Sequence, residues 1–156
     1  RARKTRYRTA FRREVEAVAG LNHPGIVTVF DHGEVTDDAQ EVSRGRLTAR
    51  SPYLAMELAT GGSLQSRARK VGWRELRSIL LSLLDALAHA HACGVIHRDL
   101  KPSNVLICSS EDWRPGLKLA DFGLVHALDV ERSGSVEAGQ GTPYYMAPEQ
   151  CRGTFR

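Results

Sequence analysis

Val95-Ile96-His97-Arg98-Asp99-Leu100-Lys101-Pro102-Ser103-Asn104-Val105-Leu106 decides how this chain is read. It sets a carboxylate, an ammonium and a neutral amide close together around Pro102, with β-branched and apolar residues on either side. Upstream, Leu76, Ile79, Leu80, Leu83, Leu84, Leu87 and His91 fall on one stripe at helical spacing, so the chain enters the stretch from a long, core-facing helix. Gly94 stands where that helix must stop. Downstream, Asn104–Cys108 and Leu117–Ala120 are short apolar runs separated by a polar insert with Pro115-Gly116, the signature of a hairpin. The stretch is therefore a loop between a helix and a strand pair.

Working outward, Phe11, Val15, Val18 and Leu21 give an amphipathic helix from Ala10 to Leu21, which Pro24 cannot continue. Ile26–Phe30 reads as one strand and Tyr53–Leu58 as another, with Asp37–Ser51 a polar surface loop between them. Gly61-Gly62 breaks the chain, and Ser63 is placed to cap a short helix to Lys70. From Asp121 to Glu149 the sequence is rich in Gly, Ser and charge, and a loop of that length inside a compact domain is usually functional.

The 156 residues are 42% hydrophobic and 26% charged, ordinary for a globular domain, and no apolar run is long enough to cross a bilayer. Cys93, Cys108 and Cys151 lie far apart without metal-ligand spacing, which argues against a zinc site or a disulfide framework and fits a reducing cytosol. His32, His89, His91 and His126 read as packing or surface histidines, Trp73 and Trp113 as packing anchors, and Cys108 as a buried small hydrophobe. Arg1, Arg3, Lys4, Arg6, Arg8, Arg12 and Arg13 crowd the beginning. Such an arm can bind nucleic acid, with steep salt dependence, but the plainer expectation is a solvated helix start with no nucleic-acid partner. The first residue is not Met and neither end carries a natural boundary, so both are expected to be cuts.

The opening stretch resembles the catalytic loop of protein kinases, where His-Arg-Asp is followed five residues later by Asn. Asp121-Phe122-Gly123 resembles the kinase Asp-Phe-Gly element, and Gly141-Thr142-Pro143-Tyr144-Tyr145-Met146-Ala147-Pro148-Glu149 the end of the activation segment. Phe11-Arg12-Arg13-Glu14, followed by His23-Pro24-Gly25-Ile26-Val27, is similar to the regulatory helix and its exit. Any one triplet is weak; the motifs in this order, from Phe11 to Gly153, are specific. Lys101-Pro102-Ser103 is similar to the serine/threonine branch, and the segment through Gln150 to the bacterial kinases that resemble eukaryotic ones.

The resemblance implies an α+β, protein-kinase-like fold in part. Residues 10–58 would be the remainder of the small lobe, and 59–156 the part of the helical lobe with catalytic loop and activation segment. It implies ATP-dependent phosphorylation of protein Ser/Thr hydroxyls. Phosphoryl transfer asks a protein mainly to position groups and stabilise charge. Asp99 would orient the hydroxyl and take its proton, Lys101 would stand beside the transferred phosphate, and Asn104 and Asp121 would hold Mg. Phe122 would pack under the helix bearing Glu14, and Glu14 would partner the ATP-positioning lysine. Thr142 would contact the catalytic Asp and Lys. Met56 matches the gatekeeper, Glu57 to Ala59 the hinge whose backbone bonds adenine, and Leu106 the residue beneath it. Arg98 implies regulation by loop phosphorylation, with Ser133 and Ser135 as candidate acceptors and self-phosphorylation in trans. Family members often carry threonines here, this chain has none between Phe122 and Thr142, and the two serines read equally as solvated loop residues.

Neither a glycine-rich phosphate loop nor the strand lysine is found in the chain, so these residues alone are expected to be poorly stable and inactive while the parent is a kinase. The competing expectation is a pseudokinase scaffold, disfavoured by intact Asp99, Asn104 and Asp121. The expected location is the cytoplasm, or the cytoplasmic domain of a larger, membrane-anchored protein.

Overall fold

A computed structural model describes residues 15–67, 71–122 and 143–152. Glu14, Gly123, His126, Ser133, Ser135 and Thr142, and the ends of the helices expected to start at Ala10 and to finish at Lys70, lie outside the described residues.

Among the described residues, one antiparallel hairpin and a long helix share a core, and a second hairpin meets that core through Val29. The described part of helix α1, residues 15–19, buries Val15 and Val18. Strand β1 (Val29–Glu34) pairs with β2 (Pro52–Met56), and β3 (Val105–Cys108) pairs with β4 (Gly116–Leu119). The expected strand at Ile26–Phe30 therefore starts later and runs further. Residues 25–27 leave that ladder because they pair with β4 instead: Val27 N donates to Leu119 O (2.9 Å) and Leu119 N to Gly25 O (2.8 Å). Strand β2 ends at Met56, two residues before the expected Leu58, and the Glu57 side chain that follows is buried.

Two expectations for the connections are corrected. The loop between β1 and β2 contains a short helix, α2 (Asp37–Val42), with Thr36 Oγ1 accepting from Ala39 N (3.1 Å) and Asp37 and Asp38 in the first turn. A capping residue and first-turn acids favour a helix start, but α2 buries nothing, so no apolar period announced it. After Gly62 the described residues make a 3-10 turn, Leu64–Ser66, and Ser63 caps it with no side-chain hydrogen bond.

Helix α3 (Trp73–Ala92) ends as expected. Cys93 is the C-cap, Gly94 takes φ +75°, and Val95 N returns to Ala90 O (2.9 Å). Its buried line, however, is Ile79, Ala86 and Ala90, with Leu83 and Leu87 packed beside it. Leu76, Leu80 and Leu84 from the expected stripe are exposed among the described residues. Alanines set the inward line because they let the backbone approach closely; a Cβ added at Gly25 would sit 3.3 Å from Ala86 Cβ. Val18, Leu21, Ile26, Val95, Val105, Leu119 and Phe122 complete the core against α3. Neither Trp is a packing anchor. Trp73 is exposed in the first turn of α3, and Trp113 lies exposed in the β3–β4 loop, tilted on Phe30 with Arg114 over its ring. Cys108 is buried, as expected, and burial pushes its thiol up.

The segment joining the hairpins is stitched to β3. Gly61 N donates to Ile107 O (2.8 Å) and Ile107 N to Gly62 O (2.9 Å). A Cβ on Gly61 would come within 2.5 Å of Ile107 O, so this crossing requires glycine. Thr60 and Ser109 close the same corner on Asp112: the Thr60 amide, the Ser109 amide and the Thr60 hydroxyl all donate to its carboxylate, which holds it below the usual carboxylate range. No described helix is long and apolar enough to cross a membrane.

Candidate active site

The loop from Val95 to Asn104 leaves α3 at Gly94 and enters β3, and its local chemistry fixes its shape. Pro102 opens a 3-10 turn (Pro102–Asn104) that brings Asn104 back under Asp99. Asn104 is buried, and its Nδ2 donates to Asp99 O (2.9 Å) and to Asp99 Oδ2 (3.0 Å). Lys101 Nζ reaches the same Oδ2 at 2.7 Å, with both side chains 22% exposed. Asp99, Lys101 and Asn104 thus form one cluster. Because Asn104 turns its NH2 toward Asp99, its Oδ1 faces away, touched only by the Ser103 hydroxyl at 3.3 Å among the described residues. That oxygen is a hard donor suited to a cation such as Mg.

Asp121 joins this platform through the backbone. Ala120 N donates to Asn104 O (2.9 Å), so the residue after it leaves β4 beside the loop, with its carboxylate exposed. An amide oxygen and a carboxylate are the oxygen donors that hard cations take, although among the described residues no group of three or more His, Cys, Asp or Glu side chains is placed to hold a metal ion. Arg98 and Asp121 both take positive φ, 62° and 57°, without being glycine. Such conformations cost of order 1–3 kcal/mol each and concentrate at functional sites.

The sequence expectations gave His97 no role of its own. It is buried, its Nε2 donates to Ala120 O (3.0 Å), and its ring tilts on Phe122 with centroids 4.6 Å apart. It therefore ties the Asp99 loop to the residue before Asp121. Burial holds its pKa below the ordinary 6.5, against the opposing pull of the Ala120 carbonyl and of Asp99. The unfolded chain binds this proton first as pH falls. Stability is thus fully present above about 6.5 and declines below it, by at most about 1.4 kcal/mol per pH unit for one proton. Urea unfolding of a whole-domain protein between pH 7.5 and 5.5 should show that decline, and His97→Asn should flatten it. An unchanged slope in the variant would assign the effect elsewhere.

On the opposite side, Met56 is exposed at the end of β2 and Leu106 is half-buried in β3. Glu57 is buried in an ion pair that the sequence did not announce. Lys118 Nζ stands 3.1 Å from Glu57 Oε1 and also donates to Pro24 O (3.1 Å), while Thr28 N donates to Glu57 Oε1 (2.7 Å). The Lys118 side chain is 0% exposed. Leu58 is exposed and Ala59 half-buried on the stretch that follows.

The protein kinase domain family matches residues 1–154. A probable serine/threonine-protein kinase of Corynebacterium efficiens is 36% identical over 97% of this chain and 22% of that protein. PknA of Mycobacterium tuberculosis, a serine/threonine-protein kinase, is 38% identical over 92% of the chain and 31% of its own length. Among solved structures, a mutant of the Mycobacterium tuberculosis PknI kinase domain superposes with a TM-score of 0.66 at 29% identity, over 97% of this chain and 50% of that one. Rad53 in complex with AMP-PNP gives 0.57 at 34% identity, over 73% and 28%. The chain therefore spans about a fifth to a third of the curated relatives' length. With the loop cluster, the two hairpins and the long helix in the order the motifs require, the chain belongs to the protein kinase domain family, and these curated relatives are serine/threonine kinases.

Proposed function

We propose that this chain is the part of an ATP:protein phosphotransferase that carries the hydroxyl-orienting and metal-holding loops, acting on Ser and Thr hydroxyls of proteins. The observation that carries the reading is the Asp99 carboxylate clamped between Lys101 Nζ and Asn104 Nδ2. Both bonds fall on Oδ2 among the described residues, which leaves Oδ1 to orient the incoming hydroxyl and accept its proton. Lys101 adds positive charge beside the transferred phosphate. Asn104 Oδ1 and Asp121 hold Mg, which when bound neutralises charge on the phosphate oxygens. The backbone of Glu57 to Ala59 bonds the adenine edge, and Leu106 packs beneath it. Glu14 pairs with the lysine that positions ATP, and Thr142 contacts Asp99 and Lys101. Arg98 reads a phosphate on Ser133 or Ser135, placed there by a second copy in trans. We place the reaction on the cytoplasmic side, where ATP is supplied.

The test uses a protein carrying the whole domain. It should transfer phosphate from ATP to protein Ser or Thr in a Mg-dependent manner, detected by mass spectrometry. Asp121→Asn should raise the half-saturating Mg concentration by about tenfold or more, since it removes the charged ligand of the pair. Undiminished transfer by Asp121→Asn at low Mg would overturn the metal assignment.

A further inference from the structure

The Gln150 side chain of segment 143–152 touches the catalytic loop. Gln150 lies in the short helix α4 (Pro148–Cys151). Its Oε1 accepts from Ala147 N (3.0 Å), reaching back over the first turn of its own helix. Its Nε2 donates to the carbonyl oxygen of Arg98. One amide thus bridges the start of α4 and the peptide unit that joins Arg98 to Asp99.

That peptide unit is a demanding one. Arg98 takes φ +62°, a conformation rarely held by a residue with a side chain. The N–H at its far end, Asp99 N, donates to His97 O (2.8 Å) and lies 3.3 Å from His97 Nδ1. His97 therefore grips the peptide by its N–H, and Gln150 grips it by its C=O. Rotation about this unit would swing the Asp99 side chain away from Lys101 and Asn104. A strained conformation persists only where its surroundings over-determine it.

We propose that Gln150 is a positioning residue for the phosphotransferase reaction: it holds the Arg98–Asp99 peptide and so makes the placement of Asp99 depend on the docking of α4. The inference rests on the role given to Asp99 above. Gln150 does not itself meet substrate. Glutamate at this position has the same length and can still accept from Ala147 N, but when ionised it has no hydrogen to give the Arg98 carbonyl and sets two oxygens against each other. When protonated, it can donate again.

The test compares wild type and Gln150→Glu in a protein carrying the whole domain, with kcat, KM for ATP and KM for a peptide substrate measured across pH, and melting temperature as the control. Expected is a kcat lowered about 10- to 100-fold near neutral pH, the scale on which small misplacements of reacting groups act. KM for ATP should change less than about twofold, and the variant-to-wild-type ratio of kcat should recover as pH falls toward the carboxyl range. Should Gln150→Glu lose its fold, Gln150→Met decides by the same split of kcat against KM. Variants with wild-type kcat, or a ratio that does not change with pH in a folded Gln150→Glu, would overturn the inference while leaving the kinase reading intact. A wild-type domain that transfers no phosphate would sink both.

Discussion

Asp99→Asn, in a protein carrying the whole domain, should lower kcat for phosphoryl transfer by about 10²- to 10⁴-fold, the range over which a positioned acid–base group acts. The substitution keeps shape and removes both charge and proton affinity. It also disturbs its neighbours. Asp99 Oδ2 receives the Lys101 ammonium at 2.7 Å and the Asn104 amide at 3.0 Å, so a side-chain NH2 turned that way would meet donors only. An amide oxygen turned that way restores the two bonds, and its NH2 then faces the incoming hydroxyl. The first orientation sets donors against donors, the second turns a donor toward the hydroxyl, and neither offers an oxygen with the basicity of a carboxylate. KM for ATP should stay within a few-fold, because Asp99 is assigned to the hydroxyl and not to the nucleotide. Steady-state kinetics with a peptide substrate checks this, and a kcat within tenfold of wild type would remove Asp99 from its role.

Lys118→Met should destabilise the same protein by about 3–5 kcal/mol, the cost of leaving a buried charge without its partner. Lys118 and Glu57 are 0% and 3% exposed at the side chain, and water cannot replace either. The lysine also satisfies Pro24 O, and the glutamate satisfies Thr28 N, so the pair binds the exit of α1, the approach to β1, the end of β2 and strand β4. Replacing both charges, as Glu57→Leu with Lys118→Met, should return most of the loss, since apolar residues of similar volume often match a buried ion pair. Full recovery is not expected, because Thr28 N loses its acceptor. Urea unfolding of the single and double variants measures both. A single variant as stable as wild type would mean that the pair is hydrated in solution.

The contrast between these two sites explains what could be read from the chain alone. Asp99, Lys101 and Asn104 lie within one short loop, so their spacing already carries their meeting, and the hairpin of β3 and β4 was legible from two apolar runs around Pro115-Gly116. Lys118 sits between Leu117 and Leu119, where strand alternation would turn a lysine outward. Its burial depends on Glu57, on a different hairpin and far away in sequence. His97 had the same difficulty: its bond runs to a backbone carbonyl at Ala120, which no side chain advertises. Helix α3 was legible in length and in its Gly94 stop. Its facing was not, because Ala86 and Ala90 contribute little to an apolar pattern yet set the close approach. Helix α2 buries nothing, so only the cap at Thr36 could have revealed it.

The stitching of residues 57–62 has a mechanical result. Glu57 is moored to Lys118 on β4, and Gly61 and Gly62 are moored to Ile107 on β3. Asn104, at the foot of β3, is moored to Ala120 at the end of β4. The backbone assigned to the nucleotide base and the oxygen assigned to its metal therefore ride on the same hairpin, which serves as a ruler between them. That spacing is set by the hydrogen bonds of the hairpin itself.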